Sequence, residues 1–217
     1  LFFDDHHVIT GFEFSGDDLD ATSTTNTATM VSVRGRVVAN TKSLTDLNYK
    51  GWINTYSAYA QDEWRLPADF TLTLGGRQTW VESKLTSTND PVMTGRKAKS
   101  NDENAVFSAG LVWRGIKDTA LRGLFAQGYR HPNLQQLFIG TTHGSGTPTY
   151  ANPDLKPETS ATGELGARYD NGAFYIDLGG FYTQSDDYIT TQLQTGGANY
   201  MFVNVDEALT YGSELSA

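Results

Sequence analysis

Hydrophobic and polar residues alternate along most of this chain with a period of two. In residues 70–80, for example, Phe70, Leu72 and Leu74 alternate with threonines. The same pattern returns at about 105–114 and 172–182, and less regularly at about 8–15, 54–66, 119–130, 159–169 and 200–216. Side chains of a β-strand point alternately to the two faces of a sheet, so the pattern predicts an all-β fold of about eight strands.

The length of these stretches distinguishes two kinds of β-protein. Most have about 10 to 14 residues, whereas soluble strands usually have about 5 or 6 and a tilted strand crossing a bilayer needs about 9 to 11. Aromatic residues near their ends suit the girdles of a membrane barrel; these are Trp64, Trp80, Trp113, Tyr169 and Tyr182. We therefore favour a transmembrane β-barrel over a soluble β-sandwich. The side chains expected to face lipid are Phe70, Leu72, Leu74, Phe107, Leu111, Phe174, Ile176 and Leu178.

The connections between the predicted strands alternate in length. Long segments at about 16–53, 84–103, 131–157 and 184–199 are separated by short turns at 66–69, 115–118 and 170–172. Outer-membrane barrels have short periplasmic turns and longer extracellular loops, so this order predicts an antiparallel meander with the long loops outside the cell. All six prolines are expected in connections, and four of them make segment 131–157 a stiff loop.

Composition and motifs argue against several other classes of protein. The chain has no cysteine, so disulfides, thiolate metal sites and cysteine nucleophiles are impossible. Its net charge of −9, with scattered basic residues, argues against a nucleic-acid partner. It has no serine-hydrolase elbow, no zinc-protease motif and no phosphate-binding loop. We therefore expect no enzymatic activity and no catalytic cofactor.

Charged residues also occur on the polar side of the predicted strands. Glu63, Arg77, Glu164 and Arg168 alternate with apolar neighbours in their stretches. In a wide barrel these residues would line a wet interior. We expect them to pair with one another across that interior.

Two short motifs flank the proline-rich segment 131–157. They are Tyr129-Arg130-His131-Pro132 and Asn152-Pro153-Asp154-Leu155-Lys156-Pro157-Glu158. With Gln-Asp-Glu-Trp at 61–64 and Asn-Val-Asp at 204–206, they resemble the sequence boxes of TonB-dependent outer-membrane receptors. The resemblance spans nearly the whole chain. It has two departures, since His131 replaces the usual alanine of the first box and Asp154 replaces the second asparagine of the other.

This resemblance implies a barrel of about 22 strands around an N-terminal plug domain, in the outer membrane of a bacterium. Residues 1–217 are then expected to be part of the barrel domain, about eight of its strands, with the plug and the terminal strands outside the chain. The implied function is active uptake of an iron-containing ligand. The implied partners are the lipid bilayer, the TonB complex, and the ligand or its carrier protein.

Heme is the ligand that the resemblance favours. Receptors of the heme-uptake branch place a heme-ligating histidine between the two boxes, and His143 lies there in this chain. We expect His143 to ligate heme iron, with His131 as a second candidate and Tyr150 and Phe138 stacking on the porphyrin. The competing interpretation of His143 is a solvated loop residue. A ferric-siderophore receptor of the same family is the main alternative function, and a passive porin-like channel is a further one.

Overall fold

Eleven β-strands form a single sheet in the computed structural model, which describes residues 2–3, 5–93, 95–142, 147–197 and 199–217. The strands are β1 Phe2–Phe3, β2 His6–Val33, β3 Arg36–Leu66, β4 Phe70–Thr88, β5 Lys99–Trp113, β6 Thr119–Arg130, β7 Thr141–Thr142, β8 Pro148–Tyr150, β9 Glu158–Asp170, β10 Tyr175–Leu193 and β11 Tyr200–Ser216. The helical elements described are a 3-10 turn at Pro91–Met93 and a π turn at Gln135–Ile139. Neither could cross a bilayer, because no helix in the described ranges is long and apolar enough.

The long strands form an antiparallel meander. β2 to β6 are neighbours in sequence order, β9 follows β6, and β10 and β11 complete the run. Each of these eight strands has at least 12 residues, whereas β1, β7 and β8 have 2 or 3. The structure confirms the predicted meander of about eight strands, curled as part of a barrel, and it forms one sheet where a sandwich would need two.

The prediction of a long loop over residues 16–53 is wrong. β2 and β3 remain paired up to a turn at Arg34 and Gly35, whose φ angles of 52° and 79° are typical of the tight turns that join hairpin strands. Apolar and polar residues do not alternate here, because both sides of the hairpin are exposed. The chain still forms strands, since threonine and valine favour extended backbone. β4 extends into the predicted loop 84–103 and β10 into the predicted loop 184–199, which shortens both connections.

The short turns lie where the sequence predicts them. They connect Leu66 to Phe70, Trp113 to Thr119 and Asp170 to Tyr175. The indole Nε1 of Trp113 donates a hydrogen bond of 3.0 Å to the carbonyl of Ala68, so this aromatic residue closes the neighbouring turn. One proline departs from the prediction, because Pro148 begins β8, a position that needs no ladder N–H.

The strand register separates an apolar face of the sheet from a polar face. Residues directly opposite on neighbouring strands share a face, and one such row runs Trp64, Leu72, Leu111. The predicted lipid-facing residues within strands share that apolar face; they are Phe70, Leu72, Leu74, Phe107, Leu111, Ile176 and Leu178. Phe174 precedes β10. Several of these side chains are exposed in the sheet, as a surface that contacts lipid should be.

Candidate functional site

The described residues of the 131–157 segment, 131–142 and 147–157, fold back onto the polar face of the sheet. Leu137 and Phe138 have no exposed surface, and they belong to a buried cluster with strand residues of that face, including Leu85 and Ile189. The other members of the cluster are Tyr49, Met93, Leu134 and Leu155. In a barrel the polar face lines the lumen. The segment therefore covers the lumenal wall at the end opposite the short turns.

The second motif is fastened to β11 by two asparagines. The Nδ2 of Asn152 donates to the carbonyl of Phe202 at 3.0 Å, and its Oδ1 accepts from the amide of Asp154 at 3.1 Å. Asn204 makes two bonds to one residue of the motif, because its Oδ1 accepts from the amide of Lys156 and its Nδ2 donates to the carbonyl of Lys156. The 204–206 motif thus holds the 152–158 motif in place.

Arg130 and Glu158 close the base of the segment. They are Cα partners at the end of β6 and the start of β9. The carboxylate of Glu158 accepts from Nε of Arg130 at 2.6 Å and also from Nη2 of Arg130. It accepts in addition from the amide of Ile189 at 2.6 Å. The carboxylate therefore links β6 and β9 to β10, and both ends of the segment are held by residues of the two motifs.

His131 is enclosed next to this closure. Its side chain is 6% exposed, its Nε2 lies 3.5 Å from Oγ of Ser83, and its Nδ1 lies 4.0 Å from Oδ2 of Asp102. That Nδ1 is buried without a hydrogen-bond partner among the described residues. The same carboxylate oxygen of Asp102 accepts instead from the hydroxyl of Tyr129 at 2.8 Å.

The environment of His131 favours its neutral form. Burial lowers the pKa of His131, Lys97 lowers it further, and the nearby Asp102 carboxylate opposes them without reversing the shift. Neutral imidazole is the form that ligates heme iron or a metal ion. The side chain is nevertheless buried, so an external ligand reaches it only if the residues around it move.

The remaining predicted site residues differ in how exposed they are and in whether the structure describes them. Tyr150 ends β8 with 39% of its surface exposed, so its ring is accessible. Phe138 is fully buried in the cluster, and its predicted contact with a ligand requires the segment to open. His143 lies in residues 143–146, outside the described ranges. Within those ranges, no group of three or more histidines and carboxylates is placed to hold a metal ion.

The charged residues of the polar face pair with other partners than expected. Arg77 donates 2.8 Å hydrogen bonds to Glu13 and Ser57, and Arg168 bonds Asp170 in its own strand. The prediction that Glu63, Arg77, Glu164 and Arg168 pair with one another is therefore wrong.

An ion pair that the sequence did not reveal joins β6 to β10. Arg122 reaches across β9 to the carboxylate of Asp177, with bonds of 2.8 and 3.1 Å. A Cβ at Gly166 would lie 2.5 Å from Cζ of Arg122, so the guanidinium occupies the space above this glycine. Such a pair can be found only from the strand register, and the local alternation of apolar and polar residues does not reveal that register.

Comparison with known proteins identifies a family and several similar proteins. The profile of a family described as TonB dependent receptor-like, beta-barrel, matches residues 2–217. An iron-regulated outer membrane virulence protein of Vibrio cholerae serotype O1 is 31% identical over 173 residues, which is 73% of this chain and 24% of that protein. A hemin receptor of Yersinia pestis is 30% identical over 114 residues, or 44% of this chain and 17% of the receptor. The chain thus spans about a quarter or less of these relatives.

Solved structures share the fold at low sequence identity. The copper transporter OprC superimposes with a TM-score of 0.71 and 17% identity, over 99% of this chain and 33% of that one. The hemophore receptor HasR of Serratia marcescens, solved with its hemophore and heme, gives a TM-score of 0.62 and 15% identity over 95% of this chain and 39% of that one. At these identities the likeness concerns the fold alone.

Proposed function

Since the chain belongs to the TonB-dependent receptor family, whose members are non-enzymatic transporters of the bacterial outer membrane, we propose that it is part of a receptor that takes up an iron-containing ligand. Residues 1–217 supply part of the barrel wall in this proposal. The plug domain and the contact with the TonB complex belong to other parts of the receptor. The apolar face is its surface toward the lipid bilayer.

The observation that carries the proposal is the 131–157 segment held against the polar face. A passive pore needs an open lumen, whereas a receptor needs a surface at the outer mouth that can hold a ligand until transport begins. The bonds from Asn152, Glu158 and Asn204 keep the segment at that mouth. The Vibrio cholerae relative is named as iron-regulated, which supports an iron-containing ligand.

We propose heme as that ligand. The similarity to a hemin receptor supports heme, as do two histidines and an exposed tyrosine in or beside the segment. His143 is the proposed axial ligand of the iron, and His131, neutral and close to the same mouth, is the second candidate. Tyr150 offers an accessible ring for stacking on the porphyrin. A ferric siderophore is the alternative cargo.

Growth on a single iron source tests this proposal. The complete receptor is expressed in a bacterium that lacks other heme receptors, with hemin as the sole iron source, and hemin binding is followed by absorbance of the purified receptor. We expect His143→Ala to lower both hemin binding and growth. His7→Ala serves as the matched control, because His7 lies near the start of β2, at the end of the sheet that carries the short turns and away from the 131–157 segment.

Each other result has a defined meaning. Unchanged binding and growth in the His143→Ala variant would exclude His143 as the ligand, and the same loss in His131→Ala alone would transfer that role to His131. Growth on a ferric siderophore but not on hemin would assign the receptor to the alternative cargo. Growth without the TonB complex would contradict active uptake altogether.

A further inference from the structure

The hairpin of β2 and β3 continues far beyond the rest of the sheet. β4 pairs with β3 only as far as Thr88, which lies opposite Tyr49. Beyond that pair, residues 22–33 and 36–48 pair with each other along the hairpin. We call residues 22–48 the ribbon. At about 3.3 Å a residue, its strands project roughly 40 Å past the end of β4.

The ribbon differs in charge from the rest of the chain. The ribbon contains three cations, Arg34, Arg36 and Lys42, against one carboxylate, Asp46, whereas the whole chain has a net charge of −9. Arg34 lies in the turn at the tip, and Arg36 directly follows that turn. The ribbon is thus a positively charged extension of an acidic protein.

The tip of the ribbon also carries exposed apolar side chains. Between 47% and 68% of each is accessible; they are Met30, Val31, Val33, Val37 and Val38. Because successive residues of a strand point to opposite faces, both faces of the tip carry exposed apolar side chains, which offer surface for contact with another molecule. The tip lies beyond the membrane-spanning part of the sheet, so lipid does not cover it.

One backbone edge of the ribbon is open as well. On the side of β3 where β4 has ended, residues 36–45 have no neighbouring strand among the described residues. An open edge can accept an added strand, and a two-stranded hairpin gains stability from such a partner.

We propose that the ribbon is a docking surface for an acidic extracellular protein. Carboxylates of the partner would pair with Arg34, Arg36 and Lys42, while its apolar side chains would cover the valines of the tip. An anionic glycan offers charge without apolar side chains, and a second copy of the ribbon would bring like charges together. The idea that the docked protein carries the transported ligand rests on the proposed function. The docking surface itself is independent of that function.

Binding of a defined acidic protein to the complete receptor tests this proposal. The receptor is placed in lipid nanodiscs and titrated with serum albumin, in its hemin-loaded and hemin-free forms. The variant Arg34→Glu with Arg36→Glu reverses the charge of the tip, and Val33→Thr with Val37→Thr removes apolar surface while keeping the β-branched shape. The matched control is Arg114→Glu with Lys117→Glu, which reverses two exposed charges at the opposite end of the sheet.

We expect both ribbon variants to bind albumin more weakly, with the charge reversal lowering affinity about tenfold, mainly through slower association. The control should bind as the wild type does, and both albumin forms should bind alike. Binding of free hemin should be unchanged in all variants. Loss of hemin transfer with docking intact would refute the proposed function and leave the docking surface standing.

Three results would overturn the docking proposal. The first is a wild-type receptor that does not bind albumin, and the second is equal binding by the ribbon variants and the control. The third is that the ribbon variants bind albumin normally but lose either binding to purified lipopolysaccharide or receptor self-association, the latter measured by sedimentation. That third result would assign the ribbon to a glycan or to a second copy.

Discussion

Asn204 of β11 holds both backbone groups of Lys156, accepting from its amide at 2.9 Å and donating to its carbonyl at 3.0 Å. The same Nδ2 also donates to the carbonyl of Asp187 in β10. Two motifs separated by more than forty residues are thus one structural unit, since the bond spans 48 positions in sequence. This unit fixes the end of the 131–157 segment against the wall of the barrel.

Removal of the Asn204 side chain should loosen that segment. The Asn204→Ala variant leaves the amide and carbonyl of Lys156 without these partners, at a cost of about 1–3 kcal/mol for the local closed state. We expect faster hydrogen exchange in residues 131–157 of the complete receptor. Asn171→Ala, which removes an asparagine that bonds the backbone of a short turn, is the matched control and should leave that exchange unchanged. Equal exchange in both variants would show that the segment is held by packing alone.

Charge on the apolar face should impair membrane insertion. Phe107 is 60% exposed on that face, so Phe107→Arg places a cation in lipid and should cost about 2–4 kcal/mol near the bilayer centre. Ser108→Arg places the same residue one position along β5 on the polar face, and it should be tolerated. Refolding into lipid vesicles, followed by the mobility of the folded barrel on gels, measures the difference. Loss of folding in the Ser108 variant alone would mean that the two faces are assigned the wrong way round.

A side chain at Gly166 should separate Arg122 from Asp177. In Gly166→Val the new Cβ occupies the position of the guanidinium, so the ion pair that crosses β9 is lost. Gly163→Val is the control in the same strand, because a Cβ there meets nothing within 4 Å. We expect the Gly166 variant to have a lower free energy of unfolding in urea than the control, because only the Gly166 variant loses the ion pair. Equal stability would indicate that the pair contributes nothing to the barrel.

Acid should weaken the closure around His131. Burial lowers the pKa of His131 in the closed form, whereas in the open form the histidine has an ordinary pKa of about 6.5. As the pH falls below about 6.5, the open form therefore binds more protons than the closed form. The closed state therefore keeps its full stability above about pH 6.5 and loses stability as the pH falls toward the lowered pKa. Hydrogen exchange in residues 131–157 should rise between pH 7.5 and 5.5, after correction for intrinsic rates. In His131→Gln, which does not titrate, most of that pH dependence should disappear, whereas its persistence would assign the effect to other groups.

Local alternation and turn residues predicted the number of long strands, their two faces and the short turns, but they missed the extension of β2 and β3 through residues 16–53. Each of these depends on neighbours in sequence, since a period of two assigns Leu72 and Leu111 to the same kind of surface without knowledge of their pairing. The candidate site was predicted in part. The two motifs marked the 131–157 segment, but surface loops are usually solvated, so no local pattern indicated that Phe138 is buried.

Only the tertiary structure decided what these elements contact. The ribbon exists because β2 and β3 stabilise each other across a register that no single stretch contains. Arg122 finds Asp177 because Gly166 leaves room between them. Asn204 reaches Lys156 because β11 lies beside the end of the segment. The physical reason is that alternation reports which side of a strand a residue occupies, whereas pairing, burial and hydrogen bonding depend on which strands the curled sheet brings together.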